Sequence, residues 1–195
     1  FNAGVAFEPN GYFRRENWAE TALSIVTFGQ KVGRPERSEA YLDALRWLLK
    51  VVREPLRYDG RHNGLAAYDA WAEHLLLDDE IAAGGGPDCA FDVHDDAVGT
   101  VAEGRYFGGK FILQAEEHLP GSEVELKAAA AHYQAEHDLM WKLWGLVGGL
   151  GRGPEQRAAF ASPDIRRQMV PIIREARDKD ARAADFVEQA LRKCR

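Results

Sequence analysis

The sequence predicts a mainly α-helical protein with a small amino-terminal β element. Apolar residues recur at spacings of three and four along most of the chain, which is the pattern of helices with one buried face. Breaks that contain Gly and Pro separate these stretches into about five helices. The predicted architecture is therefore a helical assembly of about five helices joined by short connections.

The first 30 residues contain the only candidate strands. These are the apolar, partly β-branched run "ALSIVTFG" over 22–29 and the shorter "GVAF" over 4–7. The chain opens with Phe1 rather than Met. Residues 1–30 are therefore interpreted as a short β element that is the remnant of a preceding domain, and residues 31–195 as the helical domain.

The first three helices are predicted from their apolar spacing and their proline and glycine boundaries. The first has Pro35 in its opening turn and ends at Pro55. The second covers 64–76 and leads into the glycine-rich break "AAGGGPD". The third segment covers roughly 92–119 and ends at "LPGS", and "DVHDD" over 92–96 at its start is interpreted as a loop.

The last two helices carry recognisable start signals. The fourth covers about 122–147, with Ser122 and Glu125 in the spacing of a capping box. The fifth covers about 163–193 and follows Ser162, a preferred capping residue, with proline in the first turn. The run "GGLGRG" between them is interpreted as a flexible connection, because no strand leads into it and no P-loop lysine follows.

Charge and composition limit the partners of the chain. It has 195 residues, 46% of them hydrophobic, and a net charge of −6, which opposes the phosphate neutralisation that nucleic-acid binding requires. No apolar run is long enough to span a membrane, and no signal segment opens the sequence. We expect a cytoplasmic protein that binds neither nucleic acid nor membrane and can form a homo-oligomer. The two cysteines, Cys89 and Cys194, are expected to be reduced thiols.

The stretch "GLAAYDAWAEHLL" over 64–76 carries the main binding hypothesis. Tyr68 and Trp71 lie three residues apart on a broad apolar face, so they are either plain core or the wall of a binding site. Together with Trp141 and Trp144 of the fourth helix, they are predicted to line a cleft for a flat or cationic ligand.

Three polar residues are expected to reach the same cleft, namely His74, Glu136 and Asp180. Asp180 interrupts the apolar stripe of the fifth helix between Ala176 and Ala183, so its carboxylate must either pair with an arginine or face a cavity. For His74 the alternative is a structural histidine bonded to a neighbouring carbonyl or carboxylate.

A metal site is a further hypothesis. His132 and Glu136 in "HYQAEHD" are four residues apart and share one helix face. A third ligand would come from one of His62, His74, Asp92, His94, Asp95 and Asp96. Because the spacing does not select one, we predict neither a metal nor another cofactor, and a metal-dependent helical bundle remains an alternative.

A thiol site is the other catalytic hypothesis. Cys89 follows "GGGPD" and is expected near a helix start, where the helix dipole lowers the pKa of a thiol. His94, five residues further on, would be its base.

The strings "GLAAYDAWAEHL", "AEGRYFGGKFI", "AAAAHYQAEHDLMWKL" and "IIREARDKDARAADFVEQAL" occur in this order. In this the chain resembles the helical half of bacterial proteins related to the butirosin-biosynthesis acyltransferase, over about residues 20–193. The resemblance implies a papain-like or C39-like catalytic segment ahead of the helical region. The nucleophilic cysteine and its histidine have no counterparts at matching positions, so no catalytic residue is carried over.

These observations predict a helical module that binds a small molecule or peptide in an aromatic-lined cleft and has no catalysis of its own. The alternative is a thiol-dependent acyltransferase or peptidase-like enzyme whose catalytic half is absent or which uses Cys89.

Overall fold

The computed structural model describes residues 6–7, 13–14, 29–30, 33–55, 61–83 and 85–194. Within these ranges the chain forms seven helices, so the prediction of a mainly α protein is confirmed. In chain order they are α1 (Arg37–Arg53), α2 (Leu65–His74), α3 (Asp78–Ala83), α4 (Gly86–Glu116), α5 (Glu123–Leu146), α6 (Pro154–Ala161) and α7 (Pro163–Lys193). No helix in the described part of the chain is both long and apolar enough to cross a membrane.

The chain divides into two units, Phe1–Arg34 and Pro35–Arg195. In the first, two strands of two residues each, β1 (Ala6–Phe7) and β2 (Phe13–Arg14), pair antiparallel. So short a pairing does not support the β element predicted for residues 1–30, and residues 22–28 of the other candidate strand lie outside the described residues. Every feature discussed below lies in the second unit.

Several predicted helix boundaries are wrong. Helix α4 begins at Gly86 rather than near 92, so "DVHDD" is helical and not a loop. Pro35 lies ahead of α1, whose N-cap is Glu36. The short helices α3 and α6 were not predicted, because six and eight residues hold too little apolar periodicity to be recognised.

The predicted capping box of α5 is also wrong. The hydroxyl of Ser122 donates to the carbonyl of Leu119 at 2.5 Å and makes no bond to the helix amides. Glu125 instead pairs with Lys193 at 2.8 Å, near the end of α7. The carboxylate that caps backbone here belongs to Glu123, which accepts the Gly121 N–H at 2.8 Å.

The "GGLGRG" segment is more ordered than a flexible connection. The Gly149 N–H donates to the Trp144 carbonyl at 2.8 Å, and the Gly148 N–H donates to Gly145 at 3.2 Å. This pair of bonds is a Schellman ending, which requires a positive φ at Gly148, and φ there is 96°. Arg152 then ties the segment to α4 through the carboxylate of Asp95 at 2.7 Å.

Helix α5 packs lengthwise against both α4 and α7, and two apolar cores lie along this three-helix layer. The first core also takes side chains from α2 and α6. It comprises Tyr68, Ala72, Leu75, Phe91, Val98, Ala102, Leu139, Met140, Leu143, Trp144, Val147, Phe160, Met169, Val170, Ile173 and Ala176. The second core also takes a side chain from α1. It comprises Leu45, Ile112, Ala115, Leu119, Leu126, Ala129, Ala130, Tyr133, Ala183, Val187 and Ala190.

Arg166 holds the helix ends at one side of the first core. Its guanidinium donates to the carbonyls of Leu75, Phe160 and Ala161 at 2.9–3.2 Å and pairs with Asp78. These carbonyls follow α2 or end α6, where the helix itself leaves acceptors without partners. A single buried arginine therefore satisfies acceptors from two helix ends.

Replacing Arg166 should be costly for this reason. The side chain is 3% exposed, so Arg166→Met would leave several buried carbonyl oxygens without donors. We expect the free energy of unfolding, measured by urea denaturation, to fall by about 3 kcal/mol or more.

The adjacent Arg167 provides the control, because its side chain is 59% exposed and it pairs only with Asp164, itself 80% exposed. Arg167→Met should change the free energy of unfolding by less than about 0.5 kcal/mol. Equal losses in the two variants would contradict the role assigned to Arg166.

Candidate ligand-binding site

Four polar side chains from four helices meet in the interior. Arg105 of α4 donates from Nε to Glu136 of α5 at 3.0 Å, and from Nη2 to Asp180 of α7 at 2.6 Å. The same Nη2 lies 3.1 Å from the hydroxyl oxygen of Tyr68 of α2, and that hydroxyl donates to Glu136. We call these four residues the Arg105 cluster. It joins α2, α4, α5 and α7 through charge-assisted hydrogen bonds, which are stronger than hydrogen bonds between neutral groups.

The cluster lies at the junction of the two apolar cores. On α5, Glu136 stands between Tyr133 of the second core and Leu139 of the first. On α7, Asp180 stands between Ala176 of the first core and Ala183 of the second. The spacing of three or four residues places each carboxylate on the same buried face as its neighbours. The cluster is therefore a polar layer within one continuous packed interior.

Burial changes the pKa of several groups in this layer. The pKa of Glu136 is raised to about 8, mainly by burial and also by Asp180, while Arg105 and the Tyr68 hydroxyl act in the opposite direction. Burial likewise raises the pKa of Tyr68 well above its ordinary value, so the phenol stays protonated. Burial disfavours a charged Arg105, yet the surrounding oxygens raise its pKa and keep it cationic.

One oxygen of the cluster has no partner. Asp180 is 0% exposed, and its Oδ2 pairs with Arg105. Its Oδ1 is buried and accepts no hydrogen bond from any described residue. A buried acceptor without a donor costs about 1–3 kcal/mol. The cluster thus lacks a hydrogen-bond donor for Oδ1 of Asp180.

A cavity of about 710 Å³ borders the cluster. Its walls come from α1, the segment before α2, α2 itself and α4, with Tyr133 of α5 and Asp180 of α7 at its inner side. The lining comprises Trp47, Leu48, Val51, Val52, Asn63, Gly64, Ala67, Tyr68, Trp71, Asp96, Ala97, Thr100, Val101, Gly104, Arg105, Gly108, Tyr133 and Asp180. We call it the Arg105 cavity. Four of its lining residues are aromatic rings.

Two glycines shape this cavity. Gly64 has φ of 56°, and a Cβ built there would lie 2.4 Å from the carbonyl oxygen of Val52. Only glycine therefore allows the chain to pass the end of α1 before α2 begins. A Cβ at Gly108 would lie 3.2 Å from the ring of Tyr133, so a larger residue there would displace this ring from the cavity wall.

A second cavity of about 590 Å³ lies on the other side of Trp71. Trp71, Ala67 and Ala97 line both cavities, and the Trp71 indole N–H donates to Nδ1 of His94 at 3.1 Å. Burial lowers the pKa of His94 to about 4, so the ring is neutral. Because Nδ1 accepts a bond, the ring proton belongs on Nε2.

Cys89 and His94, predicted as a nucleophile and its base, are not paired with each other in the structure. Cys89 and His94 both line the second cavity, but the Nδ1 of His94 is engaged by Trp71. Cys89 is exposed, in the second turn of α4, and its sulfur lies close to Gly85. A histidine with a pKa near 4 is moreover a weak base at neutral pH.

The structure does not bring the four aromatic rings of the predicted cleft together in either cavity. Tyr68 and Trp71 do line the Arg105 cavity, but the walls of the two cavities do not include Trp141 or Trp144. Trp144 is buried in the first core and donates to Asp95 at 2.8 Å. Trp141 is 48% exposed and stacks edge-on against Trp144 at 4.9 Å. Trp144 is thus a buried residue of α5 about two turns from Glu136, whereas Trp141 is half exposed.

The three polar residues predicted for the cleft are separated. Asp180 both pairs with an arginine and borders the cavity. Glu136 stands behind the wall and holds the lining residues Tyr68 and Arg105. His74 lines the second cavity instead, half exposed, with its Nδ1 3.5 Å from Glu80.

The predicted metal ligands do not converge. His132 stacks on Phe186 at 5.6 Å, whereas both oxygens of Glu136 are engaged by Tyr68 and Arg105. Among the candidate third ligands, Asp95 and Asp96 pair with Arg152, and Asp92 pairs with Arg157. The described residues contain no group of three His, Cys, Asp or Glu side chains arranged to hold an ion.

Sequence reasoning missed Arg105, Tyr133 and Trp47. The signal for Arg105 was indirect, because a buried carboxylate at Asp180 requires a cation and "AEGRYFGGKF" places one arginine on a helix rich in small residues. Nothing in the sequence assigned Trp47 to the cavity, since α1 reaches it only through tertiary packing.

The raised pKa of Glu136 predicts a pH-dependent stability. Its pKa is about 8 in the folded protein against an ordinary 4.5, so the stabilisation present at low pH is lost as pH rises through 8. His94 acts oppositely, but only below its ordinary pKa of 6.5. Between pH 8 and 6.5 we therefore expect the free energy of unfolding to rise by roughly 1 kcal/mol per pH unit as pH falls.

Glu136→Gln should abolish this rise, because glutamine does not titrate yet keeps hydrogen-bonding atoms in place. The measurement is chemical denaturation of both proteins across this pH window. An identical pH dependence in wild type and variant would contradict a protonated, buried Glu136.

The geometry around Cys89 predicts an ordinary thiol. In a Cys194→Ser background, iodoacetamide should alkylate Cys89 at a rate comparable to that of free cysteine at pH 7, and His94→Gln should leave the rate unchanged. A rate on the order of ten-fold higher, lost in His94→Gln, would instead establish an activated thiol.

Comparison of the chain with protein-family models, with curated proteins and with solved structures finds no match in any of the three. The resemblance to the helical half of proteins related to the butirosin-biosynthesis acyltransferase therefore stays a prediction.

Proposed function

We propose that this chain is a small-molecule-binding module without catalysis of its own, and that the Arg105 cavity is its binding site. The observation that carries the proposal is the buried Arg105 cluster, with an unpartnered Asp180 oxygen, at the inner side of an aromatic-walled cavity. Largely apolar walls with a few fixed polar groups are the usual composition of ligand sites. A volume of about 710 Å³ also falls within the usual range for small organic ligands.

The energetics of the cluster support a role beyond stability. Burying charges costs several kcal/mol per ion, and replacing a buried ion cluster by packed apolar residues is often neutral or stabilising. Tyr68, Arg105, Glu136 and Asp180 are nevertheless held together, with one acceptor left over. Recognition of a ligand would explain why these polar groups are held in the interior, whereas packing alone does not explain it.

A peptide is the other ligand class predicted from the sequence. The cavity would admit a single side chain of such a peptide, so the same groups would recognise it.

The enzyme alternative has less support. Cys89 is exposed, and Nδ1 of His94 already accepts a hydrogen bond from Trp71.

Filling the cavity tests the proposal. Gly104 lines the cavity within α4, and a Cβ added there meets no atom within 4 Å. Gly104→Phe should therefore occupy cavity space without strain at Cβ. Gly104→Ala is the matched control, and it should also stabilise the helix by about 0.5–1 kcal/mol.

The measurement is a ligand-observed NMR screen of small neutral, cationic and anionic organic fragments. Fragments that bind the wild-type protein and Gly104→Ala should lose binding to Gly104→Phe. Unchanged binding to Gly104→Phe would refute the proposal, and so would the absence of any bound fragment in the wild-type protein.

A further inference from the structure

We propose that the ligand of the Arg105 cavity is a small organic cation with at least one N–H donor, and that Asp180 is its counterion. This inference rests on the proposed function and specifies the chemical class of the ligand. It follows from the excess of acidic side chains over cations at the cavity, from the unpartnered oxygen of Asp180, and from the aromatic walls.

Acidic side chains outnumber cations at the cavity. Arg105 supplies one positive charge, and two carboxyl groups, those of Glu136 and Asp180, bind the same guanidinium. The remaining charged residue of the lining, Asp96, is also acidic, and its partner Arg152 is outside the lining. Glu136 is largely protonated at pH 7, so the charge of a cationic ligand can be balanced by ionisation of this carboxyl group.

An anionic ligand fits this environment poorly. Arg105 is the only cation among the described residues that line the cavity, and its Nε and Nη2 groups already donate to oxygens of the cluster. A carboxylate or phosphate would compete with Glu136 and Asp180 for this one guanidinium. It would also stand close to the acidic side chains of the cluster, which disfavours its entry.

The unpartnered oxygen specifies the donor. Oδ1 of Asp180 has almost no surface exposed to solvent and accepts no hydrogen bond from a described residue, and Asp180 lines the inner side of the cavity. An ammonium group that reaches this side of the cavity would supply the missing hydrogen bond together with a positive charge next to the acidic side chains. A neutral hydroxyl would supply only the bond.

The walls favour a cation with an apolar body. The Arg105 guanidinium already lies over the ring of Tyr133, 5.1 Å from its centroid. Trp71 and Tyr68 form a tilted pair with centroids 6.5 Å apart along the α2 side. Aromatic faces attract cations, and their apolar surface covers the rest of an organic ligand.

Binding should also release protons. The ionisable groups facing Glu136 are Tyr68 from α2, Arg105 from α4 and Asp180 from α7. A cation placed beside Asp180 offsets the repulsion between the two carboxylates and favours ionised Glu136. At pH 7, where Glu136 is largely protonated, binding of an ammonium ion should therefore be accompanied by proton release.

The experiment compares matched ligands on one skeleton, with the full chain at pH 7. The probes are benzylamine, benzyl alcohol and benzoate, together with benzyltrimethylammonium, which keeps the charge but has no N–H. A parallel series on the cyclohexylmethyl skeleton removes any dependence on one ring. Dissociation constants are measured by NMR titration, and proton release by calorimetry in buffers of different ionisation enthalpy.

We expect the primary amines to bind at least about ten-fold more tightly than the alcohols, and the carboxylates to bind most weakly. The trimethylammonium probe should bind more weakly than benzylamine. Asp180→Asn should reduce the amine-to-alcohol ratio toward one. Asp178→Asn is the matched control, because Asp178 is 72% exposed and pairs with Arg177, so it should leave the ratio unchanged.

Each other outcome has a defined meaning. If alcohols or carboxylates bind as tightly as amines, and Gly104→Phe abolishes their binding, the cation inference is overturned while the binding function stands. If Asp180→Asn folds and keeps the full preference for amines, Asp180 is not the counterion. If Asp180→Asn does not fold, the wild-type ranking of the four probes decides the matter alone. If no probe or fragment binds, the proposed function itself fails.

Discussion

The interaction on which the rest of the structure depends is the pairing of one partly buried arginine, Arg105, with the buried carboxyl groups of Glu136 and Asp180. It lies where two apolar cores meet, and it joins the three long helices α4, α5 and α7 while the Tyr68 hydroxyl adds α2. A one-residue slip of any of these helices would separate a charge from its partner. Unpaired buried charges cost several kcal/mol, so this layer favours one helix register over its alternatives.

Two glycines shape the cavity beside this layer. At Gly64 and Gly108 an added Cβ would meet the carbonyl oxygen of Val52 and the ring of Tyr133, so the missing side chains allow these close approaches at the cavity wall. Trp71 separates this space from the second cavity, and its indole is fixed by neutral His94. Structure and binding are thus linked, because the residues that orient the helices are the ones that would recognise a ligand.

The helical character and most of the helix positions were predictable, because apolar spacing and proline or glycine boundaries are local signals. The fate of Asp180 was also predictable, since a carboxylate in an apolar stripe must find a cation or a cavity. Its partner Arg105 was not, because the two residues are 75 positions apart in the sequence and only tertiary packing brings them together. Trp141 and Trp144 were misplaced for a related reason. Periodicity places residues on a helix face, yet it does not say which neighbouring helix covers that face, and Trp144 contacts Asp95 of α4.

The most direct test of the central role of the Arg105 cluster is a double-mutant cycle on Arg105→Met and Asp180→Asn. Each single variant leaves the other member of the Arg105–Asp180 ion pair without its partner, whereas the double variant removes both members of the pair. Urea denaturation at pH 7 gives the four free energies of unfolding. If the pair links the two cores, the loss in the double variant should be smaller than the sum of the single losses by about 1–3 kcal/mol. Additive losses, within about 0.5 kcal/mol, would contradict the account.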